Sequence, residues 1–126
     1  MGSKPLVVFD VDGVLASAGG TVTGQQLSAL SCAWGILSSR SQARALDALQ
    51  ELGLVHGCPY EFIEVCRVSQ RAEELRMIRE KYPGFTEYVY VADRERDKAE
   101  AELAGWQFVN ANDFGDHFPA LKGRGG

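Results

Sequence analysis

The stretch Leu6-Val7-Val8-Phe9-Asp10-Val11-Asp12-Gly13-Val14-Leu15 decides the fold. Four apolar residues in a row, without polar alternation, suit a strand covered on both faces, as in a parallel sheet flanked by helices. The run then meets two carboxylates two positions apart and a glycine that permits a sharp exit from the strand. Strand, acids and turn therefore occur together within ten residues.

Outward from this segment, WGILS at 34–38, EFIEVC at 61–66, YVYVA at 88–92 and WQFVN at 106–110 read as further strands. Helices are expected between them. A Ser- and Gln-rich segment from Gly24 to Ala33 is the weakest. Gln42 to Leu52 opens after Ser41, places Ala45, Leu46, Leu49 and Leu52 on one side, and stops at Gly53. A third helix follows Ser69, carries Leu75, Ile78 and Tyr82 as its apolar stripe, and ends at Pro83-Gly84; a fourth spans about Glu95 to Ala104 and ends at Gly105. Alternating strands and helices imply βαβ crossovers and a parallel sheet covered on both faces. The expected fold class is α/β, a three-layer Rossmann-like arrangement with a mainly parallel five-stranded sheet.

The chain has 126 residues, 13 Lys+Arg against 17 Asp+Glu and a net charge of −4. This suits one domain, with a core over 1–118 and a flexible tail over 119–126. The acid excess argues against a general nucleic-acid or membrane-surface binder. Cys32, Cys58 and Cys66 make no even disulfide framework, and too few apolar residues precede Asp10 for a secretory leader, so a cytoplasmic location is expected.

In parallel sheets ligands bind beyond the carboxyl ends of the strands. The first strand ends in Asp10 and Asp12, the second in Ser38-Ser39-Arg40, and the fourth in Asp93, with Asp97 one helical turn further on. Asp10, Asp12 and Asp93 would form a carboxylate cluster whose repulsion raises at least one pKa unless a cation sits among them. Mg2+ suits such oxygen ligands. A metal-bound Asp10 could attack phosphorus, while Asp12 gives a proton to the leaving group and later takes one from water. Ser38 and nearby cations would hold the phosphoryl oxygens.

FDVDGVL at 9–15, ILSSRS at 36–41 and YVADRERDKAEAELAGWQF at 90–108 resemble motifs one, two and four of haloacid-dehalogenase-like phosphatases. The resemblance covers nearly the whole chain, and the apolar strand followed by D-x-D-G-V is its most specific element. It implies Asp10 as nucleophile, Asp12 as general acid/base with its backbone carbonyl on Mg2+, Ser38 as the motif-two hydroxyl, Asp93 as a metal ligand and Asp97 in support. Ala92 stands where Gly usually precedes the motif-four acid.

Motif three of that family usually supplies a Lys near the start of the helix before the fourth strand. Here the candidates are Arg71, Arg67 and Lys81. Lys81 lies ten residues beyond Arg71, ~15 Å along a helix that runs away from the site, so Arg71 is the first choice and Arg67 the second. Arg forks onto phosphate oxygens but does not duplicate Lys. Some relatives also carry a zinc loop in the interval that holds His56, Cys58 and Cys66, but the paired ligand pattern is missing and zinc is not expected. His117 reads as a surface residue.

Twenty-five residues separate Asp12 from Ser38. They must supply a turn at Gly19-Gly20, a flap edge at TVTGQQ (21–26) and a helix, so no large cap domain fits. An open site accepts a bulky or polymeric substrate, or is covered by another subunit of a homo-oligomer. Arg40, Arg94 and Arg96 could hold further phosphates of a nucleotide or of a nucleic-acid 3′-phosphate end; a sugar phosphate is another candidate. The expected activity is Mg2+-dependent phosphomonoester hydrolysis. The alternative is a weak or inactive phosphate-binding or regulatory module of the same fold. A receiver domain fits poorly, because its acceptor Asp would follow strand three, which ends here near Cys66-Arg67.

Overall fold

A computed structural model describes residues 4–28, 30, 32–39, 41–52, 62–65 and 71–114. The elements in chain order are β1 (Pro5–Phe9), α1 (Gly24–Ser28), β2 (Ala33–Ser38), α2 (Gln42–Glu51), β3 (Phe62–Val65), α3 (Arg71–Lys81), β4 (Glu87–Ala92), α4 (Glu95–Leu103) and β5 (Gln107–Asn110). The strands form one sheet in the order β3-β2-β1-β4-β5, and every pairing is parallel. This is a Rossmann-like α/β arrangement. Strand order reverses between β1 and β4, which opens a crevice at their carboxyl ends.

The central strand explains why the sheet forms. All five residues of β1 are buried, and Leu6 through Phe9 pair with β2 on one side and β4 on the other. Phe9 meets Trp34 and Phe114 edge to face, at centroid distances of 5.9 and 5.2 Å. Its ring thus ties the first two strands to the turn after β5. Phe9→Ala should remove about 3–5 kcal/mol of stability, read as a lower urea midpoint; a loss under about 1 kcal/mol would contradict this packing role.

On the far side, Trp106 donates its indole N–H to the Leu75 carbonyl at 3.1 Å and leans on Tyr88. These contacts seat α3 and α4 beside β4. In α2 the buried positions are Ala45, Ala48 and Leu49, while Leu46 and Leu52 are half-buried. The expected stripe included Leu46 but not Ala48. Ser41 caps α2 by accepting the Arg44 N–H, as its position before the helix implies.

The first helix differs most from its sequence expectation. It ends at Ser28, because the chain has to turn and enter β2 at Ala33, opposite Leu6. Its start is a reciprocal capping box: Gln26 N–H donates to Thr23 Oγ1 and Thr23 N–H to Gln26 Oε1. TVTGQQ is therefore partly a helix start, and only its Val22 bridges back to Leu15 as a flap edge. The expected Ser69 cap, the Gly53 stop and the 119–126 tail lie outside the described residues.

Among the described residues, no helix is long and apolar enough to cross a membrane.

Candidate active site

The site lies where β1 and β4 end side by side. Asp10 follows β1, and its backbone N–H donates to the Val91 carbonyl at 3.0 Å, so the nucleophile candidate is fixed to β4 as well. Gly13, at φ +76°, brings the exit loop close to β4's end; a Cβ there would collide with Asp93 Oδ2. Glycine is thus required by conformation and by close approach together.

Asp10 is 6% exposed. Its Oδ1 accepts from Val11 N–H at 2.8 Å and from the Arg71 guanidinium at 3.4 Å. With Oδ1 engaged twice, Oδ2 is the oxygen left for a cation or an electrophile. Burial pushes the Asp10 carboxyl up from 3.8 to about 6, opposed by Arg71 and the Val11 N–H, with Asp97 and Asp12 adding to the rise.

Three carboxylates converge, but one differs from the expected set. Asp10, Asp93 and Asp97 each offer an oxygen, all within 4.8 Å of one another. The side chain of Asp97 replaces that of Asp12 in the cluster. Asp97 lies on the inward face of α4, one turn before Ala101, and both residues are buried. A core-facing carboxylate on such a helix needs compensation. Burial raises the Asp97 pKa, while Arg71 and Arg94 pull it down.

Asp93 Oδ1 and Asp97 Oδ2 are both buried without a hydrogen-bond partner among the described residues. Two orphaned carboxylate oxygens beside a third acid fit a hard divalent cation, which would satisfy them and offset the repulsion. The donor set fits Mg2+ chemistry but does not single that ion out.

Arg71 opens α3 and is 3% exposed. It donates to the Leu37 carbonyl of β2 at 3.1 Å and to Asp10, bridging the two strand ends. Lys81, at the opposite end of α3, is exposed and lies over the Tyr82 ring, as expected from the helix direction. The second choice, Arg67, lies outside the described residues.

Asp10, Asp12, Ser39, Arg71, Arg94 and Asp97 line a cavity of about 190 Å³. Asp12, half-buried, stands at its wall rather than in the carboxylate cluster. Ser38 is sealed at the end of β2 with no exposed surface, and Ser39 takes the cavity position. Arg94 lines the cavity, Arg96 is exposed outside that lining, and Arg40 lies outside the described residues.

The other chemistry-bearing residues contribute less. Cys32 is half-buried, with its thiol pushed up to about 11 by burial, so it is not a thiolate at neutral pH. His56, Cys58, Cys66 and His117 lie outside the described residues. The sequence signal that could have promoted Asp97 is the spacing Asp93, Asp97, Ala101, which puts two acids on the face that ends in a buried alanine.

A scan against protein-family models and a search of curated proteins both return no match to this chain.

Proposed function

We propose that the protein is a Mg2+-dependent phosphomonoester hydrolase of the haloacid-dehalogenase-like type, working through an aspartyl-phosphate on Asp10. The observation that carries this reading is a buried Asp10 anchored through Oδ1, beside two orphaned carboxylate oxygens at the reversal point of a parallel sheet. A bound Mg2+, held by Asp10, Asp93 and Asp97, would neutralise phosphoryl charge and keep Asp10 ionised.

In the first step Asp10 Oδ2 forms a bond to phosphorus as the ester P–O bond breaks. The alkoxide leaves with a proton from Asp12, which stands at the cavity wall. Asp12 then takes a proton from water, whose oxygen attacks phosphorus, releasing inorganic phosphate and restoring the Asp10 carboxylate. Arg71 holds Asp10 Oδ1 throughout, which favours one oxygen for attack. Ser39 and Arg94, both at the cavity, supply a hydroxyl and a cation for the phosphoryl oxygens.

A second reading is phosphate binding without turnover. Arg71 favours it, because a guanidinium held against Asp10 Oδ1 at 3.4 Å withdraws charge from the carboxylate whose other oxygen would attack phosphorus. Assay of an aryl phosphate with Mg2+ separates the two. Multiple turnovers support the hydrolase; Mg2+-dependent binding of phosphate with no turnover across a broad ester panel supports the binding module.

A further inference from the structure

Arg71 is the residue through which α3 reaches the carboxylates. Its guanidinium donates to the Leu37 carbonyl at 3.1 Å and to Asp10 Oδ1 at 3.4 Å, and it also draws down the Asp97 carboxyl pKa. A contact of 3.4 Å stands near the outer limit of a hydrogen bond, so an outward shift of the first turn of α3 by about half an ångström breaks it. Whatever fixes that turn therefore orients Asp10.

The fixing contact comes from α4. Glu100, half-buried on that helix, accepts the Ala72 N–H through Oε1 at 3.0 Å, one residue beyond Arg71. Ala72 lies in the first turn of α3, where N–H groups have no carbonyl partner within the helix. A carboxylate placed there accepts a charge-assisted bond and faces the positive end of the helix dipole. Glu100 also follows Asp97 by three positions, about one turn of the same helix. Thus α4 supplies one acid to the cluster and, a turn later, another that holds the cluster's arginine in place.

The other ties between the two helices lie further from the site. Arg76 donates to the Leu103 carbonyl at 3.1 Å and Arg79 to the Gly105 carbonyl at 3.3 Å. These pairs climb both segments in the same order as Ala72 and Glu100, so the helices run side by side in one direction. The arginine contacts stand roughly 6 and 10 Å beyond Ala72 along α3. Together with the Trp106 bond to Leu75, they keep α3 seated when Glu100 is replaced, while its first turn loses this tie. We propose that Glu100 is a positioning residue of the candidate site, holding the start of α3 so that Arg71 clamps Asp10 Oδ1.

The effect on rate rests on the hydrolase reading, whereas the placement of Arg71 does not, and two measurements keep them apart. The first is 15N NMR of the Arg71 guanidinium in wild type, E100A and E100Q, with its signal assigned by its loss in R71M. Alanine removes the acceptor, so the signal moves and broadens; glutamine retains an oxygen at the same reach, so the signal keeps its wild-type position. The second is steady-state hydrolysis of p-nitrophenyl phosphate with Mg2+. In E100A kcat is expected to fall about tenfold with KM within about twofold, because a misoriented Asp10 slows attack while Ser39 and Arg94 still line the phosphate cavity. E100Q restores kcat to within about twofold of wild type. Circular dichroism is expected to show both variants folded. An Arg71 signal unmoved in E100A would overturn the positioning role whether or not the protein turns over esters. Undiminished kcat in E100A, equal losses in E100A and E100Q, or an unfolded E100A would overturn it as well. A displaced Arg71 signal in E100A with no turnover by wild type would instead remove the hydrolase reading and leave the placement of Arg71 by Glu100 standing.

Discussion

Asp10→Asn is expected to reduce Mg2+-dependent hydrolysis of an aryl phosphate by about 10³-fold or more, because an amide oxygen is too weak a nucleophile to form the acyl phosphate. The variant should still fold. Asparagine keeps an oxygen that can accept from Val11 N–H and Arg71, the two partners of Asp10 Oδ1. It also removes a buried negative charge from the carboxylate cluster. Circular dichroism and a melting curve check the fold, and steady-state kinetics check the rate. A folded variant with undiminished kcat would contradict the assignment of Asp10.

The second large effect concerns the metal and its competition with protons. Chelation by EDTA should suppress turnover by roughly 10³-fold or more, since the cation offsets charge that Arg71 and Arg94 cannot balance alone. Mg2+ should also raise the melting temperature, and more so at high pH. The Asp10 pKa, lifted from 3.8 to about 6 in the folded protein, means that the folded chain keeps a proton that the unfolded chain releases. In the metal-free protein this site's contribution to stability is greatest below about pH 4 and is lost as pH rises through about 6, by about 3 kcal/mol in total. Asp97, also raised by burial, acts in the same direction. A cation replaces the missing proton, so its stabilising effect appears above about pH 6 and fades below it. Melting curves at about pH 5 and 8, with and without Mg2+, read this directly. A Mg2+ shift that is absent, or equal at both pH values, would contradict a cation at Asp10, Asp93 and Asp97.

Much of the fold was legible because its central strand carries an unambiguous signal. LVVF at 6–9 is apolar at every position, and the structure buries every position between two parallel neighbours. The strand ends followed within one residue, since turn residues and acids bound them sharply. The helix at 24–28 was harder. Its stop is set by the need to enter β2 beside Leu6, a tertiary demand with no local mark, while its start was written in the Thr23/Gln26 pair.

The site shows the same division. Asp10, Asp93 and Arg71 could be placed from strand ends and helix direction, because a parallel sheet fixes which ends converge. The spacing Asp93, Asp97, Ala101 marks Asp97 as inward-facing, but no spacing takes the side chain of Asp12 out of the cluster. Which of two acids in a turn faces inward depends on the path of the loop after β1, here held by Gly13 N–H on the Ala18 carbonyl and by the approach of Gly13 to Asp93. That Ser38 is sealed while Ser39 lines the cavity is a matter of strand phase at the last residue of β2, where a one-residue change reverses the face.

The proposed mechanism depends on a covalent bond between phosphorus and Asp10. Wild-type protein mixed with a phosphomonoester and Mg2+, quenched in acid within a turnover and digested, should yield the peptide containing Asp10 with the mass of one added phosphoryl group, labile to hydroxylamine. Turnover with the label on another residue, or with no phosphorylated peptide at any quench time, would contradict an aspartyl-phosphate at Asp10.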